Sequence, residues 1–332
     1  MILHNKILVI GSNCFSGASF ADHCLSLGYK VIGISRSEEY PSIFLPYKNN
    51  NSLKNFEFIQ ADLNKDSDRI THIIQDNKIP IIVNFAAQGM VGESWQNPIH
   101  WFTTNTLGHI TLHNKIKNFD FIKKYVHIST PEVYGSCEGI VKEDHPFNPS
   151  TPYAVSKAAC DLSLKTFHKT YNFPVVWTRA SNVYGAYQAL YRIIPKTIFS
   201  ILAGKKLPLH GGGHSVRSFI HIKDIASATL KIAEESPIGE VYHISTNRFV
   251  SIRDLVKMIC EILNVKFEDS VEITEDRPGK DAAYTLDSNK IRQKLNWNDK
   301  ISLEEGIEET IQWVESNFEE LKKYPDYYIH KQ

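Results

Sequence analysis

The chain has 332 residues, of which 42% are hydrophobic, and its 37 Lys and Arg residues balance its 37 Asp and Glu residues. This length suits one large α/β domain with a smaller lobe, and the neutral charge gives no indication of nucleic acid or an anionic membrane as a partner. Five cysteines without a CxxC pair, together with the lack of any apolar run long enough to span a bilayer, predict a cytoplasmic protein without a metal site.

Short apolar runs alternate with helical patterns along the first half of the chain. The predicted strands, all apolar on both faces, cover residues 6–10, 30–35, 56–60, 81–87, 125–130 and 175–181. The predicted helices cover residues 17–27, 66–77, 94–117 and 152–171. This β-α-β alternation predicts an α/β fold with a doubly wound parallel sheet of the Rossmann type, in which ligands bind at the carboxyl ends of the strands.

The sequence GSNCFSG at residues 11–17 follows the first predicted strand and opens the first predicted helix. In this context Gly11 serves a tight turn, Gly17 allows the helix to pack closely on the strand, and the helix amides face a phosphate. Cys14 stands where a third glycine is expected. The motif alone is weak evidence for a dinucleotide site, and a purely structural turn is the alternative.

The second predicted strand ends in Ser35, Arg36 and Ser37 and lacks the acidic residue that usually holds an unphosphorylated ribose. A cation and two hydroxyls suit a 2′-phosphate, so we expect NADP, with NAD as the second choice. In the alternative, Arg36 is a solvated loop residue and Glu38 or Glu39 faces the ribose. Asp62 and Leu63, after the third strand, are expected to contact the adenine.

Tyr153 and Lys157 form a YxxxK pair on the fourth predicted helix, and Thr130 ends a predicted strand upstream. Residues i and i+4 share a helix face, so the ammonium lies beside the phenol and favours the phenolate. Tyr153 then acts as general base on a sugar hydroxyl. Thr130 forms a hydrogen bond with that same hydroxyl. A surface pair is the alternative, but the glycine loop argues against it.

Several longer segments extend this pattern over nearly the whole chain. They are NFAAQGMV (84–91), NTLG (105–108), STPEVYG (129–135), YAVSK (153–157), RASNVYGAY (179–187), IPKTIFSILAGKKLPLHGGG (194–213), VRSFIHIKDIA (216–226) and EDRPGKDAAYTLD (275–287). On these segments the chain resembles the extended short-chain dehydrogenase/reductases, and within them the nucleotide-sugar 4,6-dehydratases of the dTDP-glucose type. The resemblance implies a recycled, tightly bound dinucleotide, a nucleoside-diphosphate hexose as substrate and a homodimer paired through the helices near 94–117 and 152–171.

The resemblance also implies a division of labour along the chain. Residues 1–182 with 218–250 are expected to form the dinucleotide-binding domain, and residues 183–217 with 251–325 the nucleotide-sugar-binding lobe. The residues expected to contact the dinucleotide are Gly11, Asn13, Cys14, Phe15, Ser16, Gly17, Ser35, Arg36, Ser37, Asp62, Leu63, Ala86, Ala87, Gln88, Asn105, Tyr153 and Lys157. Those expected to contact the sugar nucleotide are Thr130, Glu132, Asn182, Arg192, Lys196, Leu209, Arg217 and Arg277.

Glu132 is the residue that the resemblance makes decisive for the reaction. A C4 ketone acidifies the C5 proton of a hexose, and a nearby carboxylate removes that proton while the C6 hydroxyl departs. The dTDP-glucose enzymes have an Asp as general acid immediately before this Glu, whereas this chain has Pro131. We therefore hypothesise that Glu132 serves as both base and acid, as GDP-mannose dehydratases, with Ser or Thr at that position, also suggest.

Alternatives to dehydration remain at this stage. A 4-epimerase usually has a small or hydroxyl residue in place of Glu132, but UDP-glucuronate decarboxylases carry a Glu there, so both stay open. A non-catalytic dinucleotide sensor would normally have lost Tyr153 or Lys157. The segment 322–332 is expected to be peripheral to the site.

Overall fold

The computed structural model describes residues 5–275 and 285–331. Its strands are β1 Lys6–Ile10, β2 Lys30–Ser35, β3 Phe56–Gln60, β4 Ile81–Asn84, β5 Lys124–Ile128, β6 Ile140–Val141, β7 Val175–Ala180, β8 Asn182–Tyr184, β9 Leu207–His210, β10 Val216–Arg217, β11 Phe219–His221, β12 Val241–Ile244, β13 Val250–Ser251, β14 Val271–Thr274 and β15 Thr285–Leu286. Its α-helices are α1 Phe15–Ser26, α2 Ser67–Asp76, α3 Pro98–Phe102, α4 His109–Ile116, α5 Pro152–Tyr171, α6 Ile193–Leu202, α7 Ile222–Glu235, α8 Ile252–Ile262, α9 Phe267–Ser270, α10 Asn289–Leu295, α11 Leu303–Ser316 and α12 Phe318–Leu321.

Seven strands form one parallel sheet in the order β12-β7-β5-β4-β1-β2-β3. Alternate residues of β1 belong to different hydrophobic clusters: Ile7 and Val9 pack with α1 and α7, and Leu8 and Ile10 pack with α2, α4 and α5. Strands buried on both faces must be apolar throughout, which explains the continuous apolar runs of the sequence. The predicted doubly wound parallel sheet of the Rossmann type is confirmed.

The predicted single helix over 94–117 is wrong, because the segment is divided. α3 begins at Pro98, whose missing N–H is tolerated in a first helical turn, and a π-helical segment at Thr103–Gly108 separates α3 from α4. A π-helical turn inserts an extra residue and often lies at a functional site. Here it turns Asn105 into the interior.

A second apolar core is formed largely by α6, α8 and α11. β9 pairs with β14, and residues of these strands and α8 form a smaller cluster beside it. β8 and β11 pair in parallel and connect this part of the chain to the end of the large sheet. None of the helices in the described part of the chain combines the length and apolar character that a bilayer crossing requires.

Residues 324–331, hereafter the strap, follow α12 without regular helix or strand and contact several other parts of the chain. Tyr324 packs edge-on against Phe44, with ring centroids 5.0 Å apart. At the other end, the Lys331 carbonyl oxygen accepts hydrogen bonds from Arg36 and Gln88. The strap therefore reaches the carboxyl edge of the sheet.

Candidate functional site

The glycine loop between β1 and α1 leaves no room for side chains at its two ends. A Cβ on Gly17 would lie 2.3 Å from the Gly11 carbonyl oxygen, and one on Gly11, whose φ is +90°, would lie 2.8 Å from the Ala86 nitrogen. Cys14 has an extended backbone with φ of −78°, and its thiol caps α1 by accepting a hydrogen bond from the Gly17 amide over 3.2 Å. Cys14 therefore replaces the expected glycine without strain, and the loop fits a dinucleotide phosphate group.

Asn13 fastens the glycine loop to the end of β2. Its amide N–H donates to Ser35 Oγ over 2.9 Å, and its side-chain Nδ2 donates to the carbonyl oxygens of Ser37 and Glu38. Ser12 Oγ and Asn13 Oδ1 are buried without a hydrogen-bond partner among the residues that the structure describes. Phe15 and Ser16 begin α1 directly behind this loop. These buried polar atoms belong to the loop that is predicted to hold the dinucleotide.

The residues after β2 make contacts with several other parts of the chain. Arg36 is half-buried, and its carbonyl oxygen accepts a hydrogen bond from Gln60. The Glu39 carboxylate accepts hydrogen bonds from Tyr47 and Lys48 over 2.9 and 2.6 Å. Asp62, after β3, accepts a hydrogen bond from the Asn64 amide.

The loop after β4 is held by a buried asparagine. Asn105 accepts a hydrogen bond from the Gln88 amide and donates to both the Gln88 carbonyl and Ser156 Oγ over 2.8 to 3.0 Å. Since Asn105 is fully buried, it positions this loop against α5. Ala86 is half-buried at the start of the loop, Ala87 is exposed and Leu63, after β3, is buried. The structure thus brings these predicted residues to the same edge of the sheet.

Tyr153, Lys157 and Thr130 come together where α5 begins and β5 ends. Thr151 caps α5 by accepting a hydrogen bond from the Ala154 amide, which fixes the first turn that carries Tyr153. The Tyr153 phenol forms a hydrogen bond with Thr130. Lys157 is almost completely buried and donates from Nζ to the Ile128 carbonyl oxygen over 2.7 Å.

The electrostatics of this group are dominated by burial. Burial foremost, and next the Glu132 carboxylate, raise the pKa of Tyr153, while Thr130 and Arg192 act in the opposite direction. Burial likewise lowers the pKa of Lys157. Desolvation disfavours the charged form of each group, so ionisation of Tyr153 requires compensating positive charge.

Glu132 lies in a short 3-10 turn, Pro131–Tyr134, that follows β5. Thr130 caps this turn by accepting a hydrogen bond from the Glu132 amide over 3.3 Å, and Pro131 occupies its first position. Pro131 is buried and carries no acidic proton. Glu132 is half-buried and close enough to Tyr153 to act on its pKa, so one carboxyl group stands beside the phenol.

A buried polar network that sequence reasoning missed supports the turn from behind. Asp161 Oδ2 accepts hydrogen bonds from Ser129 Oγ and Arg179 Nη2, each over 2.7 Å. Arg179 Nη1 donates to the Tyr134 hydroxyl over 2.7 Å. Arg179 and Asp161 lie in the predicted strand and helix, but only their pairing across the fold identifies the network. It links both ends of the Glu132 turn to α5 and β7.

Three buried donor atoms lie behind Lys157, in His109, His127 and Cys160, all within 4.8 Å of one another. The spacing suits a metal ion. Burial is the largest effect that lowers the pKa of both histidines, and the Lys157 ammonium lowers the pKa of each further. His109 already contacts the Ala86 carbonyl at 3.0 Å and Cys160 Sγ at 3.4 Å. The nearby ammonium disfavours a second cation at this position.

The predicted sugar-nucleotide residues are less uniformly placed. Arg192 caps α6 and is exposed, with Lys196 one turn later, and its charge reaches Tyr153. Asn182 is half-buried on β8, and Arg217 is half-buried on β10. Leu209 is a buried residue of the cluster formed by β9, β14 and α8, and its contact with the sugar nucleotide stays a prediction. Arg277 lies outside the described residues.

One family of known proteins is similar to this chain over most of its length. The family model described as GDP-mannose 4,6 dehydratase matches residues 8–310. The chain is 31% identical, over 94% of its length, to a trifunctional UDP-glucose 4,6-dehydratase/UDP-4-keto-6-deoxy-D-glucose 3,5-epimerase/UDP-4-keto-L-rhamnose-reductase of Arabidopsis thaliana, of which it spans 47%. The chain therefore spans about half the length of this relative.

Other relatives match along most of their length. A dTDP-glucose 4,6-dehydratase of Xanthomonas campestris pv. campestris is 30% identical, with 93% of each chain covered. The crystal structure of dTDP-glucose 4,6-dehydratase from Bacillus anthracis in complex with NAD has a TM-score of 0.84 and 33% identity, covering 96% of this chain and 99% of that one.

Proposed function

Because the chain belongs to the GDP-mannose 4,6-dehydratase family, among the extended short-chain dehydrogenase/reductases, we propose that it is a nucleotide-sugar 4,6-dehydratase. The observation that carries the proposal is the meeting of Thr130, Tyr153 and Glu132 at one end of α5. The first two suit oxidation of a sugar hydroxyl, and the carboxylate beside them suits elimination from the resulting ketone. The predicted product is a 4-keto-6-deoxy sugar nucleotide.

In this proposal Tyr153 accepts the proton of the C4 hydroxyl. Thr130, which forms a hydrogen bond with the Tyr153 phenol, orients the same sugar hydroxyl. A dinucleotide held by this loop would supply the hydride chemistry that oxidation at C4 and reduction at C6 require. Lys157, held against the Ile128 carbonyl, supplies positive charge beside the phenolate. Gly11, Gly17 and Asn13 shape the loop that holds the dinucleotide phosphates.

Glu132 then carries out the elimination by itself. Its carboxylate takes the C5 proton, the electron pair forms the C5–C6 double bond, and the C6 hydroxyl leaves with a proton from the same carboxyl group as water. After hydride reaches C6, a proton returns to C5, so the net reaction removes one water. Pro131 cannot serve as the acid, and the half-buried Glu132 carboxylate close to Tyr153 supports the double role.

The nicotinamide cofactor is NADP in this proposal, with NAD as the second choice. The relative from Bacillus anthracis is described in complex with NAD. In this chain, however, β2 ends in Ser35 and is followed by Arg36, and Glu39 is engaged by Tyr47 and Lys48. A guanidinium at this point suits a 2′-phosphate better than a ribose hydroxyl.

The substrate is a nucleoside-diphosphate hexose whose diphosphate lies near Arg192 and Lys196. Asn182, Arg217 and Arg277 stay predicted contacts of the same group.

The proposed molecule is a homodimer. Exposed Leu107, Val155 and Leu162 support this, because Val155 and Leu162 are seven residues apart on one face of α5.

A panel of UDP-, dTDP-, GDP- and CDP-hexoses, with and without an N-acetyl group at C2, tests the function. We expect one nucleotide sugar to lose one water, detected by mass spectrometry, and to gain a 4-keto group and a C6 methyl group by NMR. An epimerised product of unchanged mass would establish the 4-epimerase alternative. Loss of carbon dioxide from a uronic acid substrate would establish the decarboxylase.

A further inference from the structure

The strap crosses the edge of the sheet at which the dinucleotide is proposed to bind. β4, β1 and β2 are neighbours in the sheet, and the glycine loop follows β1. The Lys331 carbonyl oxygen accepts one hydrogen bond from Arg36, after β2, and one from Gln88, after β4, over 2.9 and 2.8 Å. A single backbone oxygen therefore joins the two strand ends that flank the glycine loop.

Side chains along the strap alternate as they do in an extended chain packed on one face. Tyr324, Asp326, Tyr328 and His330 are partly buried, whereas Pro325, Tyr327, Ile329 and Lys331 are exposed. The inward set faces the protein and the outward set faces solvent. This regular alternation indicates a segment docked on a matching surface.

Aromatic contacts fix the inward side chains at two separate places. His330 stacks on Trp101 and His100 of α3, with centroids 5.1 and 5.2 Å away, and His100 Nδ1 lies 2.9 Å from His330 Nε2. Tyr328 packs edge-on against Tyr191, with centroids 5.4 Å apart. Aromatic pairs at these separations are attractive beyond the area they bury.

The strap also spans the two halves of the proposed site. Tyr191 precedes Arg192, which is proposed to face the sugar nucleotide, while Arg36 is proposed to face the dinucleotide. Burial, the largest effect, raises the pKa of Tyr328, and both Arg36 and Arg192 act on it in the opposite direction. The Tyr328 phenol is thus within reach of both cations.

We propose that the strap is a wall of the dinucleotide site, which covers the bound dinucleotide and slows its release. This inference rests on the proposed function, since it requires a dinucleotide on the glycine loop. A dehydratase returns the hydride within each turnover, so the dinucleotide has no need to leave between turnovers. A fixed cover does not slow the turnover of such an enzyme, whereas an enzyme that exchanges its dinucleotide in each turnover must open its dinucleotide site.

The test compares inward-facing with outward-facing substitutions on the full chain. The test variant is Tyr328→Ala with His330→Ala, and the matched control is Tyr327→Ala with Ile329→Ala, whose side chains are 62% and 52% exposed. NADPH and NADH are bound to each protein without any sugar nucleotide. Their dissociation rates are measured by fluorescence after mixing with an excess of the oxidised form.

We expect the inward variant to release its dinucleotide about tenfold faster or more, equivalent to about 1.4 kcal/mol, with the control close to the unsubstituted chain. An unchanged dissociation rate of the dinucleotide in the inward variant would show that the strap is not part of the dinucleotide site. Slower release or tighter binding would show that the strap competes with the dinucleotide, which also overturns the proposal. His330→Ala alone serves if the double variant is unstable.

This measurement stands apart from the proposed reaction. If no nucleotide sugar were dehydrated, release of the dinucleotide would still report on the strap. Conversely, a dehydratase whose dinucleotide leaves equally fast from both variants would retain the proposed function and lose this inference.

Discussion

Lys157 donates a hydrogen bond from Nζ to the Ile128 carbonyl oxygen at the end of β5, over 2.7 Å. The bond joins α5, which carries Tyr153, to the strand that leads into Thr130 and Glu132. Burial lowers the pKa of Lys157, so an ammonium at this position is costly to keep charged. The expected use of that charge is stabilisation of the Tyr153 phenolate.

This relationship predicts the pH dependence of the reaction. Tyr153 acts as a base only when deprotonated, and because burial and Glu132 raise its pKa, the rate rises with pH. Lys157→Met removes positive charge, so the pKa of Tyr153 rises further and the acid limb of kcat/KM moves to higher pH. At pH 7 we expect a loss of about 100-fold or more. Lys157→Arg retains the charge and should shift the limb less, and equal midpoints in the Met variant and the unsubstituted chain would contradict the role.

Glu132→Gln separates oxidation from elimination. We expect C4 oxidation to persist, seen as absorbance of the reduced dinucleotide after addition of substrate, because Tyr153 and Thr130 remain. Deuterium exchange at C5 and loss of water should fall by about 100-fold or more, since the amide cannot take the proton. Glu138→Gln, at an exposed position of the same loop, is the control. Dehydration at an undiminished rate in the Glu132 variant would refute the double role.

Arg36→Ala tests the cofactor preference. Loss of a guanidinium from a 2′-phosphate removes charge-assisted hydrogen bonds, so the Kd for NADP should rise by about tenfold to 100-fold. The Kd for NAD should rise less, because it changes only through loss of the hydrogen bond between Arg36 and the strap. Both constants are measured by titration with the full chain. Arg69→Ala, which removes an exposed arginine of α2, is the matched control. Tighter binding of NAD than of NADP by the unsubstituted chain would reverse our assignment.

The proposed dimer face is tested by placing charge on it. Leu107→Glu with Leu162→Glu introduces two carboxylates at side chains that are 60% and 52% exposed, and burial of unpaired charge disfavours association. We expect light scattering to report a monomer. Leu27→Glu, at a leucine of similar exposure beyond α1, should leave the mass unchanged. A dimer that survives the double substitution would place the contact elsewhere.

Histidine burial predicts how stability depends on pH. Burial lowers the pKa of His113 to about 3, against about 6.5 in the unfolded chain. Between these values the unfolded state binds the extra proton, so the free energy of unfolding falls as pH decreases from about 6.5 towards 3. His113→Gln should therefore reduce the loss of stability between pH 7 and 5, measured by urea unfolding. His72→Gln, on the exposed face of α2, should leave the loss unchanged.

The sequence by itself determined the large sheet and the places of the glycine loop and of the Tyr153–Lys157 pair in the chain. Continuous apolar runs at β1, β2 and β7 predicted strands buried on both faces, because a strand covered by helices on both sides has no polar face. GSNCFSG and the Tyr153–Lys157 pair are local patterns whose spacing fixes their geometry once the turn or helix forms. These parts needed no knowledge of distant contacts.

Tertiary structure decided what local spacing does not contain. Asn105 joins Gln88 to Ser156 and lies in a π-helical segment, where the apolar pattern predicted one continuous helix. Leu209 is a buried residue of the cluster formed by β9, β14 and α8. The contact between Arg36 and Lys331 joins residues 295 positions apart. No periodicity of the segment 322–332 indicates which surface it meets, because that surface is assembled from loops after β2 and β4 and from α3. Its place over the site follows only from the folded arrangement of those elements.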